Sequence, residues 1–387
     1  MIFFVLIIGF AALNTGRAEE KSAALGWNIE RVDRGTKPAL ALDSNGTPTV
    51  VYMLERTEGY VKAAVRNDTG WEISTIAQGY FYGPPDVAID RNDVPHVSYH
   101  DHQAKMFDPA KGDAVHAFTR DGQWVANTLA HPGHDGWDNR IVVDADNGVH
   151  ISAIDPLDFG GKGVEYYFVD NAGAPTVESV GSGPLSYKYA TSIALNPSGQ
   201  PSISYYDQRE TSLRLATRLG PDDWRIETVD DAGQTGLFSS MVIDPNGGTH
   251  ISYFEKTGTA PGFYTLGNVK YAFRSSPDAS WQITEVDALD KVVTGFSGAR
   301  NLTSLALDSQ GRPWIAYTDE SVLRLATFDG STWQTQTVAQ SGKERFGQIV
   351  SLKLDALDAP HLAYATVSSK QPLDGLILYA TPKPRSS

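Results

Sequence analysis

One phrase recurs seven times in this chain: an apolar strand, an Asp-centred turn, and a second apolar strand that usually ends in Tyr. It reads ALALDSNGTPTVVY (Ala39 to Tyr52), DVAIDRNDVPHVSY (Asp86 to Tyr99), RIVVDADNGVHISA (Arg140 to Ala153) and SIALNPSGQPSISY (Ser192 to Tyr205). It continues as SMVIDPNGGTHISY (Ser240 to Tyr253), SLALDSQGRPWIAY (Ser304 to Tyr317) and SLKLDALDAPHLAY (Ser351 to Tyr364). The turn anchors are Asp43, Asp90, Asp144, Asn196, Asp244, Asp308 and Asp355, so the period runs from 47 residues (Asp43 to Asp90) to 64 (Asp244 to Asp308). A repeat of that length built from short strands predicts an all-β fold, a seven-bladed β-propeller with four antiparallel strands per blade.

Each unit reads as strands a to d. The phrase supplies a and b. Strand c is an alternating run, as in VKAAV at Val61, VEYYF at Val164 and LRLAT at Leu323. Strand d opens with Trp71, Trp124, Trp224, Trp281 or Trp333, while unit three uses Thr176 to Val180. Period-two alternation is the mark of a half-buried strand. The seventh unit has no strand d before the sequence stops, but WNIERV (Trp27 to Val32) precedes the first strand a and has the strand-d pattern. The expectation is that residues 27–32 complete the last blade and close the ring, removing the exposed edges that invite aggregation.

A single propeller domain is expected over 19–387. The chain has 36 Gly and 21 Pro, concentrated at turns, and no Cys, so closure rests on strand pairing and burial. The apolar run Ile2 to Ala18 suits a signal peptide over 1–18, cleaved before Glu19, which implies a secreted or periplasmic protein. No Lys or Arg precedes that run, so a membrane anchor is the alternative. With 46 acidic against 32 basic residues the net charge is −14, which argues against nucleic acid or an anionic membrane as partner.

In a four-stranded meander the a–b and c–d turns share one face of the disc. The b–c and d–a loops share the other, where propeller clefts usually lie. The Asp turns therefore sit away from a cleft. DADNG at Asp144 has a calcium-loop flavour but lacks the EF-hand spacing and distal Glu, and a turn in which Asp bonds its own backbone is the better reading. An acid recurs at the end of strand b: Asp101, Asp155, Asp207, Glu255 and Asp319. Bases at His116, Arg214, Lys270 and Arg324 in strand c make cross-strand ion pairs the expectation (Asp207–Arg214, Glu255–Lys270, Asp319–Arg324) rather than a metal ring. Blade three breaks this rule, with Asp155 set against Glu165.

Departures from the repeat concentrate in blades two to four, on the cleft face. They bring His100, His102, His134, Trp137, Arg140, Tyr187, Lys188, Tyr189, Tyr206 and Arg209 into one sector, with Arg300 and Arg345 in d–a loops across the channel. Histidine and tyrosine serve as base and acid near neutral pH. A cation neutralises a carboxylate and stabilises an enolate-like intermediate. The set suits proton abstraction beside a uronate carboxylate followed by β-elimination, with His134, His100, Tyr189 and Arg209 as catalytic candidates and the others binding substrate. No cofactor is required. A zinc site from His100, His102, His131 and His134 with Asp101 or Asp135 is the metal alternative. No Gly-x-Ser-x-Gly elbow points to a Ser-His-Asp triad.

The phrase Asp-x-x-Gly-x-Pro-x-Ile-x-Tyr, as in Asp308 to Tyr317, resembles the repeats of secreted bacterial propellers grouped with sialidase-type (BNR-like) repeats. In architecture the chain resembles seven-bladed ulvan-lyase-type polysaccharide lyases. That resemblance implies a His, Tyr and Arg site in the central cleft and agrees with a polysaccharide or glycan partner; the chain itself is expected to be a monomer. True sialidases differ: their Asp-box carries Ser before and Thr-Trp after the turn, and their ring has six blades. The alternatives are a non-catalytic lectin, which would repeat shallow sites through similar loops, and a protein-interaction scaffold, which would show a broad apolar rim.

Overall fold

Period-two patterning becomes twenty-eight strands arranged as seven four-stranded antiparallel sheets. The computed structural model describes residues 26–384 except 55–57, 82, 103–111, 130–135, 158–159, 182–189, 261–263, 294–301, 320, 341–344 and 369–370. At 260, 264, 290–293, 345–348, 368 and 371–374 it describes the backbone alone. Blades 1 to 6 each use four consecutive strands, as in blade 1 with Thr36–Leu42, Pro48–Leu54, Gly59–Asn67 and Gly70–Gly79.

Blade 7 combines the two ends of the array. Its strands Arg345–Leu354, Pro360–Ser368 and Gln371–Pro382 are completed by Trp27–Arg34. Trp27 pairs with Pro382, Ile29 with Ala380 and Arg34 with Leu376, with one register shift between Arg31 and Asp33. Lys383 N–H also donates to Gly26 O at 2.8 Å. The proposed leader at 1–18 lies outside the described residues.

Three recurrent devices explain why these sequences make blades. The first is the a–b turn. Oδ1 of all seven anchors accepts backbone N–H bonds from the residues two and four positions on, at 2.7–3.0 Å. This is the self-bonding turn expected of Asp and Asn. The second device is at the inner ring. Ser192, Ser240, Ser304 and Ser351 each accept, through Oγ, a backbone N–H from the first strand of the next blade (Met241, Leu305, Leu352 and Leu40, each 3.0 Å). Asp86 does the same for Ile141 at 3.1 Å.

The third device lies at the outer edge. The Trp opening strand d packs on the preceding blade, edge to face on a Tyr in three cases: Trp71 on Tyr379, Trp224 on Tyr166 and Trp333 on Tyr271, with centroids 5.2–5.3 Å apart. Between these layers the apolar clusters cross blade boundaries, as where Val51, Met53 and Val61 of blade 1 meet Val87, Val97 and Tyr99 of blade 2. Each fully buried aliphatic side chain there contributes roughly 2 kcal/mol from water exclusion.

The strand-b tyrosines are the unexpected part of the boundary. The hydroxyls of Tyr52, Tyr253 and Tyr317 donate at 2.6–2.7 Å to Asp33, Asp230 and Asp287, which lie on strand d of the preceding blade. The strand-c cation joins the same carboxylate: Lys62 at 3.3 Å, Lys270 at 2.7 Å and Arg324 at 2.6 Å. The expected pairs within a blade are present but longer, Arg324–Asp319 at 3.3 Å, Lys270–Glu255 at 3.6 Å and Arg214–Asp207 at 3.9 Å. His116 does not belong to the series. The register sets Val115 opposite Tyr99, and His116 faces the other way, opposite Ser98.

Two outcomes test this account. Removing residues 1–25 is expected to leave the midpoint and cooperativity of thermal unfolding unchanged, while removing 1–34 opens blade 7 and lowers the midpoint sharply; equal midpoints would refute closure by this strand. Asp230→Ala strands the Lys270 ammonium and the Tyr253 hydroxyl, and chemical denaturation is expected to show a loss of roughly 3 kcal/mol. Burial opposes ionisation of Asp230, but Lys270 and Tyr253 outweigh it and hold its pKa below the usual 3.8. Its contribution is therefore full above that value and is lost as pH falls below it, so the native and Asp230→Ala proteins should converge in strong acid.

Candidate functional site

On the cleft face the described residues form a floor made from strand-b ends and strand-a beginnings. Blade 2 carries His100 next to the end of its second strand, Pro95–Asp101. Blade 3 opens its first, Trp137–Val143, with Trp137. The two rings meet with centroids 4.3 Å apart and 30° between planes. His102 completes the cluster, 5.8 Å from His100 and 6.0 Å from Trp137, and its backbone N–H donates to Tyr80 O at 2.8 Å. Gly112 permits this packing, since a Cβ there would come 2.3 Å from His100 Cε1.

This floor is sealed. His100 is 1% exposed, and His102 and Trp137 are fully buried. Trp137, expected among the substrate-binding residues, instead packs its buried ring against His100. Tyr206 is buried as well, its hydroxyl accepting from the Gln234 amide at 3.1 Å. Arg209 is exposed, on a tight b–c turn whose backbone N–H groups at Arg209 and Glu210 donate to Asp207 Oδ1.

Arg140 takes the inner-ring position that four other blades give to serine, and it donates to Asn139 O at 2.6 Å. It and Asp86, from adjacent blades, are the two charged members of that ring around a channel cavity of about 350 Å³. The chain enters this ring through a bulge between Trp137 and Arg140, with Asp138 in the left-handed region (φ 48°). Asp tolerates that conformation better than most residues. His134, Tyr187, Lys188, Tyr189 and Arg300 lie outside the described residues, as does the side chain of Arg345, and so do His131 and Asp135 of the zinc alternative. Among the described residues no group of three or more His, Asp or Glu side chains is arranged to hold a metal ion.

Blade 3 carries Glu165, which the sequence marked as breaking the ion-pair rule without assigning it to a site. Six blades place Tyr at the end of the phrase and Ala at the third inward position of strand c: Ala64, Ala117, Ala216, Ala272, Ala326 and Ala380. Blade 3 exchanges them, with Ala153 in strand b and Tyr167 in strand c. The phenol now comes from the neighbouring strand, and its hydroxyl donates to Glu165 Oε2 at 2.7 Å. Glu165 faces Ala153 in the register and occupies the position of Lys62, Lys270 and Arg324 in other blades; Asp155, expected opposite it, pairs with Gly163.

A buried acid thus stands where its siblings carry a cation. Glu165 is fully buried, and its Oε1 has no hydrogen-bond partner among the described residues. Burial raises its pKa from 4.5 to about 7, against the Tyr167 bond, with help from the Asp155 charge and opposition from Lys162. The signal for this site was available as an Ala/Tyr exchange confined to one repeat. A carboxyl whose native pKa exceeds its unfolded value stabilises the fold fully below about 4.5, and that contribution drains away as pH rises to about 7. Thermal midpoints are expected to fall across that window in the native protein. They should stay flat across it in Glu165→Gln, which mimics the protonated acid, and identical slopes would rule out the assignment.

No family model matches the chain, and no curated protein is significantly similar to it. Solved structures are similar in fold. An ulvan lyase, described as a new family of polysaccharide lyase and bound to a segment of glucuronate and sulfated rhamnose, superposes with a TM-score of 0.58 at 14% identity, over 91% of this chain and 95% of that one. A protein of unknown function from Dyadobacter fermentans reaches 0.52 at 11% identity, over 92% and 99%. The GH93 α-L-arabinofuranosidase of Fusarium graminearum with arabinobiose reaches 0.50 at 10% identity, over 90% and 93%. At these identities the likeness is one of fold.

Proposed function

We propose that the protein is an exported propeller that recognises an acidic polysaccharide in the cleft over blades 2 to 4 and cleaves it by β-elimination. The observation that carries this reading is the convergence of single-blade departures on one sector. His100, His102, Trp137 and Arg140 belong to the boundary between blades 2 and 3, and Tyr206 and Arg209 to blade 4 beside it. Structural features that serve the ring recur in most blades; these do not. Two structural neighbours, the lyase and the arabinofuranosidase, are carbohydrate-active enzymes by description, which agrees with a saccharide partner.

In this reading His134 is the base and Tyr189 the acid. Arg209, exposed at the mouth, meets the uronate carboxylate and steadies the enolate-like intermediate. His100 is a positioning residue, because the Trp137 face and the glycine at 112 fix its ring beneath the surface. Arg140 adds positive potential at the channel. Non-catalytic saccharide binding is the second reading, favoured by the burial of Trp137, Tyr206 and His100.

The test is ultraviolet absorbance of the purified protein incubated with uronate-containing polysaccharides, in which elimination creates an unsaturated product. A rise is expected with at least one substrate. His134→Ala and Tyr189→Phe should each reduce it by about a hundredfold or more, the usual size of a general acid–base contribution. A flat trace across the panel, with saccharide binding retained in calorimetry, would replace the lyase by the binding protein.

A further inference from the structure

The boundary between blades 2 and 3 also departs from the repeat on the opposite face of the disc. At every other boundary a Trp opening strand d covers the residue one place inward on strand c of the preceding blade. Blade 3 has Pro175 at that position, paired with Val169, where Trp71 pairs with Arg66 in blade 1 and Trp224 with Arg218 in blade 4. The residue to be covered also changes: blades 3, 5 and 7 present Tyr166, Tyr271 and Tyr379, and blade 2 presents His116. A cavity of about 570 Å³ lies here, lined from both blades, within the usual range for small-ligand sites.

Its inner wall is flat. His96 Nδ1 and His116 Nε2 are 2.9 Å apart, with the two rings within 7° of parallel and centroids 5.1 Å apart. The nitrogen contact plus two ring radii spans that separation, so the imidazoles lie edge to edge in one plane. Phe118 extends the wall, tilted 14° and 20° from the two imidazoles.

The hydrogen-bond directions follow from the sibling blades. His150 and His250 point Nε2 at the anchor Asp (3.0 and 3.2 Å) and Nδ1 at a Tyr hydroxyl (2.7 and 2.6 Å), and His361 repeats the arrangement with Asp355 and Tyr379. His96 keeps Nε2 towards Asp90, at 3.6 Å, so its Nδ1 accepts and His116 Nε2–H donates. That leaves His116 Nδ1 as a bare acceptor. It is buried without a hydrogen-bond partner among the described residues, and so is Asn147 Oδ1, also at the cavity. Two acceptors beside an aromatic wall call for a molecule with a flat apolar side and hydroxyl donors. Of the charged residues lining it, Asp90 and Asp170 are acids against the single base Arg120, and Asp90 is turned to His96 and its own turn, so the lining disfavours an anion and offers a cation no free acid cluster.

We propose that this cavity binds an uncharged saccharide unit, a pyranose lying against the His96–His116–Phe118 wall and donating hydroxyl hydrogens to His116 Nδ1 and Asn147 Oδ1. The site is on the far face from the cleft and does not depend on the reaction proposed there. Saturation-transfer NMR with methyl glycosides of glucose, galactose, mannose, fucose, rhamnose and xylose tests it. At least one is expected to bind. Pro175→Trp restores the side chain that six blades carry, and should weaken that binding at least about tenfold while leaving the thermal midpoint unchanged or raised. His116→Phe keeps the ring and removes the acceptor, and decides the matter in the same way should the Trp variant fail to fold. No transfer from any glycoside, or binding unchanged in these variants, overturns the proposal; the latter would assign the sugar to another surface, while a negative lyase assay has no bearing on it.

Discussion

A ring of seven sheets without a cysteine is only as sound as its seven boundaries, and at three of them the decisive contact is one carboxylate. Asp33, Asp230 and Asp287 each receive a Tyr hydroxyl and a Lys or Arg from the next blade. Two donors and a compensating charge make burial of the acid tolerable, and the geometry fixes how far one blade rotates on its neighbour. The serine bonds at the inner ring and the Trp contacts at the rim hold the same joint at other radii. The blade is thus a local product of period-two patterning and Asp turns, whereas the ring is a product of cross-blade polar contacts laid over an apolar interface.

Blade count, strand order and closure were legible in the sequence because the bonds that define the phrase are local. An anchor Asp bonds the amides two and four residues on, so its side chain and its partners are printed together. The partners across a boundary are not. Lys270 is 40 residues from Asp230, and alternation in strand c gave the nearer Glu255 as its partner. In blade 2 the run from Ala114 to Phe118 is apolar on both phases except at His116, so patterning alone left the register one residue adrift. The cleft residues were legible as departures from the repeat, but their exposure was not, because burial of Trp137 and His100 depends on what packs above them.

The boundary between blades 2 and 3 stands apart. On the cleft side it replaces the Tyr–Asp–cation contact with Ala153, Glu165 and Tyr167. On the other side it replaces the Trp–Tyr contact with Pro175 and His116. Among the described residues the boundary keeps the Asp86–Ile141 bond at the inner ring, the ring contact of His100 with Trp137, and an apolar cluster in which Ala114 and Leu129 meet Ile141, Ile151 and Tyr167. Repeat proteins place function where the repeat is relaxed, since a position freed from holding neighbours together is free to acquire chemistry. Both saccharide sites proposed for this protein touch that one boundary.

Completion of blade 7 by Trp27–Arg34 has a temporal side. The strand nearest the start of the chain is the first of the array to be synthesised and the last to find its place, because its partner, Gln371–Pro382, is made more than 300 residues later. Until then it must wait as an unpaired strand carrying Trp27 and Ile29, while six complete blades accumulate beside it. Closure of the ring therefore waits on synthesis of the last strand of the array. A cell that makes this protein has to shield an open propeller for the whole time between its first strand and its last.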